Sequence, residues 1–311
     1  MDVDVQSRIL DISVRYPIPA LETKDPFVRL SQNTDAVCFL VQNRPFTPQD
    51  IFRLPRERAD NRIHLFFRSI QHLLENAPPN ESFDVHVFHE GDLTPEQHVQ
   101  LHTLSTDRRP IHVHEIRFEV PPHVDRSLVE RQMKRARKNK VPAYRTMGYR
   151  HMCSFYSFYV YPLFLSWGYR KLMRLDDDSV LLRPVRRLFS IEKDYVYRLT
   201  MEEDQRYMEY FEPFLRKYFD RLTEYPREIV FNNFFLLNLD IYRDSDIRYY
   251  LSMVYSSGGV YYCRWGDAVV QSYMLLYMWK LRFSIMRLEF SYEKWGYPHE
   301  GTEEEDPFSP F

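Results

Sequence analysis

Three consecutive carboxylates, Asp176-Asp177-Asp178, follow directly on the short strand-like run Arg170-Lys171-Leu172-Met173-Arg174-Leu175. Carboxylates at i and i+2 on a turn can face one divalent ion, and their hard oxygens suit Mg²⁺ or Mn²⁺. Such an ion bridges a diphosphate and neutralises the charge that grows on it as it leaves. An acidic surface turn is the plainer reading of three Asp. Adjacent carboxylates repel one another, however, so a run placed at the end of a strand asks for a cation. A second carboxylate, Asp267, closes Arg264-Trp265-Gly266-Asp267 at the start of a helix, after the loop Gly258-Gly259. There it could simply satisfy the orphan N–H groups and the helix dipole, or it could orient or deprotonate a reacting hydroxyl. His299, in Trp295-Gly296-Tyr297-Pro298-His299, is by itself more readily a surface or hydrogen-bonded histidine than a ligand. His112 and His114 share one strand face and, with no carboxylate at ligand spacing, read as hydrogen-bonded sheet histidines.

These groups need elements to hold them, and the pattern along the chain is that of an α/β fold. Ala36–Val41 is a continuous apolar run of the kind found in buried parallel strands. Ile63, Leu65, Phe66, Ile70, Leu73 and Leu74 recur at helical spacing and stop at Pro78-Pro79. Phe83–Phe88 and Ile111–Phe118 read as strands. Between them, Thr94, Pro95 and Gln97 announce a helix start of the capping-box kind. Strands alternating with helices predict a mostly parallel sheet with helices on its faces. Helices are further expected over 126–140, 144–168, 204–222, 244–256 and 264–279, with an apolar segment at Phe234–Leu239. In an open sheet of this kind ligands bind beyond the carboxyl ends of the strands, where the Asp cluster lies. The expected domains are an irregular N-terminal arm over 1–32, one sheet domain over 33–300, and an acidic C-terminal tail over 301–311.

With 311 residues, 44 % of them hydrophobic and 28 % charged, and a formal net charge of −2, the chain is an ordinary globular one with no global pull toward DNA or acidic lipid. Residues 126–140 hold seven Lys/Arg against Glu130, a segment that reads as a solvated helix face, so no nucleic-acid partner is expected. Cys38, Cys153 and Cys263 cannot form a paired framework and suit buried free thiols. No stretch reaches the roughly 18 uncharged apolar residues of a membrane span, and the first residues lack the signature of a signal peptide. The expected setting is soluble: cytoplasmic, or Golgi-lumenal if an anchor was removed. Aromatics reach 16 %, and the stripe Phe155, Tyr156, Phe158, Tyr159, Tyr161 and Phe164 reads as core, some of whose rings could line a sugar-binding groove. No P-loop, G-x-S-x-G or G-x-G-x-x-G motif is present.

Four blocks in order carry a resemblance. Tyr149-Arg150-His151-Met152-Cys153-Ser154-Phe155-Tyr156-Ser157 looks like the Y-R-H-M-C-R-F-(Y)-S motif of the fungal α-1,2-mannosyltransferases, glycosyltransferase family 15. Arg174–Val180 falls where that family has R-V-E-P-D-V. Gly258–Ala268 is similar to its G-G-F-Y-Y-E-R-W-G-D-A, and Trp295–His299 to its closing G-Y-x-H. The resemblance implies a GT-A-type nucleotide-sugar transferase fold. It implies transfer of mannose from GDP-mannose with retention, using Mn²⁺ (or Mg²⁺), to a hydroxyl of a glycan or glycoprotein acceptor. Carried over by position, Asp176, Asp178 and His299 hold the metal, and Asp267 is the active-site aspartate. Tyr149, Arg264 and Trp265, with Asp176, meet the nucleotide sugar; Arg44 is a candidate there on fold geometry.

The departures are as informative. Asp177 replaces a Pro. The family's candidate nucleophile, a Glu in N-F-E-I-A-D-L, is Phe235 in Asn233-Phe234-Phe235, which excludes a covalent intermediate through that residue. Gln271 stands where the family has His, and Pro121–Asp125 occupies the stretch of its acceptor-side W-S-Y-P. Two other classes stay open at this stage: a nucleotide-sugar- or glycan-binding protein that has lost catalysis, and, with weaker support, an Asp-cluster phosphohydrolase or nuclease.

Overall fold

The computed structural model describes residues 3–44, 62–138, 146–294 and 297–299. Its centre is a seven-stranded sheet in the order β10-β6-β9-β4-β1-β2-β3. The strands are β1 (Asp35–Leu40), β2 (Asp84–His89), β3 (Ile111–Glu115), β4 (Lys171–Leu175), β6 (Tyr195–Tyr197), β9 (Phe234–Asn238) and β10 (Ile285–Arg287). Within this sheet, among the described strands, only β9 runs against its neighbours. The mostly parallel α/β sheet read from the sequence is therefore present. A second sheet, β12-β11-β5, joins β5 (Ser179–Leu181), β11 (Tyr292–Lys294) and β12 (Tyr297–His299), and β7 (Thr200–Glu202) pairs with β8 (Glu228–Val230).

The central strands are apolar on both sides because both sides are covered. Ala36, Cys38, Leu172, Phe235 and Leu237 face a core built largely from the aromatic segment after residue 147. Val37, Phe39, Val85, Val87, Met173 and Leu175 face the opposite way, onto Ile63, Phe66, Ile70 and Leu73 of the helix Arg62–Asn76. Each such side chain, once buried, is worth about 1.5–3 kcal/mol. The expected capping box is formed: Thr94 Oγ1 accepts from the Gln97 amide, and Gln97 Oε1 accepts from the Thr94 amide at 2.9 Å. All three cysteines are buried and free. No helix among the described residues is long and apolar enough to cross a membrane.

The aromatic helix expected over 144–168 is helical from Met147 to Ser166, but it carries a π-turn at Phe155–Tyr159. Pro162 lacks the N–H that would close a bond to the Phe158 carbonyl, and the ladder widens just ahead of it. With the extra residue, the whole stripe from Phe155 to Phe164 is buried, so none of its rings lines a sugar groove. Other boundaries also shift. Residues 204–222 hold only a 3₁₀ turn, Gln205–Tyr207, and the helix Phe211–Tyr218, because Tyr210 takes a left-handed conformation (φ 62°) between them. The last expected helix starts at Asp267, since Arg264 is also left-handed (φ 61°). The N-terminal arm is not wholly irregular: Val3–Leu10 is a helix that buries Val5 and Ile9. Residues 301–311 lie outside the described residues.

At the amino end of the parallel strands the arm closes over a histidine cluster. His86 Nδ1 lies 2.9 Å from His114 Nε2, and His86 Nε2 lies 2.8 Å from the Tyr169 hydroxyl, which donates to Asp84. The carboxylate that spacing along β3 did not offer to His112 comes from the neighbouring strand, with Asp84 Oδ2 3.4 Å from His112 Nε2. Asp84, His86 and His112 have ligand atoms within 4.8 Å of one another, close enough to take a metal ion, with the Tyr169 hydroxyl standing between two of them. From the arm, Phe27 packs on all three histidines, while Ser31 and Asn33 donate to Asp84.

Burial, helped by the neighbouring histidines, drives the His86 pKa well below its ordinary value and that of His114 to about 3. Above pH 6.5 both rings are neutral in either state. Below it the unfolded chain takes up protons that the fold refuses, and stability falls until the pH reaches the folded pKa. Going from pH 7 to pH 5 should therefore cost about 2 kcal/mol for each of these two rings. Urea unfolding followed across that range measures it, and His114→Leu should flatten the slope; a wild-type profile level from pH 7 to 5 would contradict the burial of neutral rings.

Candidate active site

At the carboxyl end of β4 the site is organised by one cation. Arg174 sits on the sheet face between Cys38 of β1 and Phe235 of β9, and is 3 % exposed. Its guanidinium carbon lies 3.6 Å from the Tyr156 ring centroid, a desolvated cation–π contact. Its Nε donates to Asp176 Oδ1 at 2.8 Å, and its Nη1 donates to Asp267 Oδ2. One guanidinium thus ties the strand, the aspartate turn, the aromatic helix and the Trp-Gly-Asp segment together.

The three aspartates form a closed turn, with the Ser179 amide donating to the Asp176 carbonyl at 3.0 Å. This is no exposed acidic turn: Asp177 and Asp178 are each 7 % exposed, and every carboxylate has a cation. Arg62 donates to Asp177 Oδ1 at 2.8 Å. Lys294, opposite Ser179 on β11, places its ammonium 2.7 Å from Asp176 Oδ2 and in contact with Asp178 Oδ1. Burial raises the pKa of Asp176, but Arg174 and Lys294 outweigh it and hold it at about 2. For Asp177 burial wins over Arg62, and with Asp178 beside it the carboxyl is pushed up. Burial would lower the Lys294 pKa, yet the two aspartates reverse the direction and keep the ammonium charged.

One cation therefore already touches both the first and the third aspartate. That convergence of oxygen donors is the arrangement a Mn²⁺ or Mg²⁺ ion needs, with the Lys294 ammonium standing where such an ion would sit. His299 is on β12, opposite Tyr292, which in turn faces Leu181. That register sets its backbone two ladder positions beyond the Ser179–Lys294 pair. Its side chain, with Trp295 and Gly296, lies outside the described residues.

Asp267 is the first residue of its helix, where the dipole favours an acid, and is 4 % exposed. Besides Arg174 it accepts from Asn232 Nδ2 at 3.2 Å, on the same oxygen. Asn232 also donates to Gln271 Oε1 at 2.9 Å, and Gln271 Nε2 donates to the Tyr156 carbonyl at 3.0 Å. Gln271 thus does a hydrogen-bonding job at the position where the sequence departs from the family pattern. Phe235, the other departure, is fully buried between Tyr161 and Tyr195.

Arg264 lies between two rings, its guanidinium carbon 3.6 Å from Tyr207 and 4.7 Å from Tyr149. Its Nη2 donates to the Tyr149 hydroxyl at 3.0 Å, while Nε and Nη1 are buried with no hydrogen-bond partner among the described residues. A left-handed non-glycine backbone and orphaned charged donors both cost stability, and two such N–H groups could meet an anion. Trp265 is different: it is fully buried, donates to the Glu209 carbonyl at 2.9 Å and packs on Phe211 and Phe214. Enclosed by protein on all sides, it supports the segment from beneath. Arg44 follows β1 at the same end of the sheet. Its Nε donates to Gln42, and its carbonyl accepts from the Arg62 amide, one bond from the residue that holds Asp177.

Residues 59–302 match the family described as glycolipid 2-alpha-mannosyltransferase. The structure is similar to that of the mannosyltransferase Ktr4p from S. cerevisiae in complex with GDP, at 18 % identity and a TM-score of 0.69, over 94 % of this chain and 79 % of that one. It is also similar to Core-mannan synthase A from Aspergillus fumigatus in its Mn/GDP form, at 14 % identity and a TM-score of 0.68, over 95 % and 88 %. At those identities the likeness shows the fold. No curated protein sequence matches.

Removing the organising cation should be expensive. Arg174→Met leaves a buried Asp267 and a half-buried Asp176 beside an apolar side chain, and should cost about 3–5 kcal/mol in urea unfolding. A loss under 1 kcal/mol would mean that Arg174 is a bystander. The support beneath is equally testable. A Cβ at Gly259 would run into the Trp265 ring, so Gly259→Ala should destabilise by about 1–3 kcal/mol, whereas at Gly266 a Cβ meets nothing within 4 Å. Equal effects at the two glycines would refute the contact.

Proposed function

The chain belongs to the glycolipid 2-alpha-mannosyltransferase family, and from that premise we propose that it moves mannose from GDP-mannose to a glycan hydroxyl at the end of β4. It is a mannosyltransferase-like glycosyltransferase with a GT-A-type fold. The observation that carries the donor reading is the sharing of one cation by Asp176 and Asp178. In this reading those two carboxylates, with His299, hold Mn²⁺ or Mg²⁺. The ion supplies charge neutralisation to the departing diphosphate.

The chain's own groups do the rest. Arg264 offers its unpartnered Nε and Nη1 to a phosphate oxygen, braced by Tyr149 and Tyr207. Arg44 approaches the nucleotide from the loop after β1. Asp267, held through Oδ2 by Arg174 and Asn232, orients the donor sugar or the reacting hydroxyl. With Phe235 where a nucleophile would stand, retention follows a front-face route. The bond from the anomeric carbon to the diphosphate breaks, the acceptor oxygen bonds that carbon from the same face, and its proton passes to a diphosphate oxygen. Residues 33–300 act as one catalytic domain in this reading.

Release of GDP from GDP-mannose should require Mn²⁺ and a mannoside acceptor, and Asp176→Asn with Asp178→Asn should lower it by about 100-fold or more. Turnover unchanged by that pair would reject the site. Phe235 also motivates a second reading, a nucleotide-sugar-binding protein without catalysis. Thermal stabilisation by Mn²⁺ and GDP, with no turnover on a broad acceptor panel, would favour it.

A further inference from the structure

We propose that Lys294 is a resident counter-ion that exchanges places with the divalent cation. In the nucleotide-free protein its ammonium bridges Asp176 and Asp178; when metal and nucleotide arrive it gives up that position and pairs with a diphosphate oxygen. The proposal rests on the donor reading of the two aspartates.

Three observations lead to it. First, Lys294 is 3 % exposed and fixed by its backbone opposite Ser179, one residue from Asp178, so its meeting with the carboxylates is built into the sheet. Its neighbour Glu293 is clamped by Arg68, with Nη2 2.9 Å from Oε2, which holds that strand in place. Secondly, the ammonium touches one oxygen of each aspartate, the point at which a shared divalent ion would sit. Two cations cannot occupy one point, and their mutual repulsion in a buried site is strong. Thirdly, Arg174 holds the other oxygen of Asp176 and Arg62 holds Asp177, so a lysine displaced among these carboxylates meets cations already in place.

A lysine is a compact charge on a flexible stem, able to move its head by a few ångströms while its backbone stays in the sheet. The acceptor it can move to is one that comes with the metal: a phosphate oxygen. Without nucleotide, metal must evict a buried ammonium from two carboxylates with no incoming anion to receive it. With nucleotide, the ammonium has a new partner. Metal and nucleotide should therefore bind with strong mutual dependence, and Lys294 should be its origin.

The test is Mn²⁺ binding to the full chain, read from the free-ion EPR signal, first alone and then with GDP. Lys294→Met should bind Mn²⁺ without nucleotide about 10- to 100-fold more tightly than wild type, and should lose most of the gain that GDP brings. Lys294→Arg keeps a cation at the carboxylates and should bind Mn²⁺ alone as weakly as wild type. Should Lys294→Met fail to fold, Lys294→Gln, which can still donate to one carboxylate, takes its place. Equal Mn²⁺ affinity in the wild type and the uncharged variant overturns the exchange, as does an arginine variant that behaves like the methionine one. Wild type that binds Mn²⁺ tightly without GDP overturns the exchange alone. Wild type that binds neither Mn²⁺ nor GDP, even together, overturns the donor reading as well.

Discussion

A guanidinium buried in the middle of a β-sheet must be paired or it will unfold the protein around it, and the carboxyl end of this sheet is laid out by that requirement. Arg174 finds one carboxylate two residues on, at Asp176, and another at Asp267 in a helix far along the chain. A ring from a third segment, Tyr156, covers its face. None of these can move independently without exposing a buried charge. A lysine could not take its place, since an ammonium has no planar face to lie over the Tyr156 ring while it forks to two carboxylates. The family-like blocks, dispersed in sequence, become one object because a single side chain holds them.

Charge matching then spreads outward. Asp176 spends one oxygen on Arg174 and the other on Lys294; Asp177 takes Arg62; Asp178 shares Lys294. Each acid in the turn is answered by a base from a different element: β4, β11 and the helix Arg62–Asn76. The turn is thus held together against its own repulsion from three directions, and it is formed in full by the chain alone. The contrast is Arg264, whose Nε and Nη1 find no hydrogen-bond partner among the described residues and whose backbone is left-handed.

Much of this was legible before any coordinates. The run β1–β2–β3, the helix after Thr94, the aspartate turn at a strand end and the ordered motif blocks follow from periodicity and residue type. What escaped did so for physical reasons. Strands such as β5, β7, β8 and β11 are three residues long, too short for a period of two to register. Lys294 looks like one more surface lysine in Tyr-Glu-Lys-Trp; only its pairing opposite Ser179 buries it. Asp84 and His112 belong to different strands, so no spacing along either could bring them together. Tyr210 and Arg264 break their expected helices through a backbone conformation that nothing in a tyrosine or an arginine announces. Conversely, Trp265 looked like a ligand contact because of the company it keeps in sequence, and is a supporting beam.

The N-terminal arm has a consequence of its own. Strand β3 is an outer strand of the sheet, and its free edge is met by the arm: the Lys24 amide donates to the Glu115 carbonyl, Thr23 bridges Ile116, and the Lys24 ammonium pairs with Glu115. Outer strands with bare N–H and C=O groups are templates on which other chains add. The same arm is pinned a few residues later, by Phe27, Ser31 and Asn33, to the histidine cluster whose buried rings the fold keeps neutral. Peeling the arm away wets His86 and His114 and lets them take up protons that the closed fold refuses, so acid favours the state with the edge uncovered. Mild acid is then a route to chain-on-chain strand addition and aggregation.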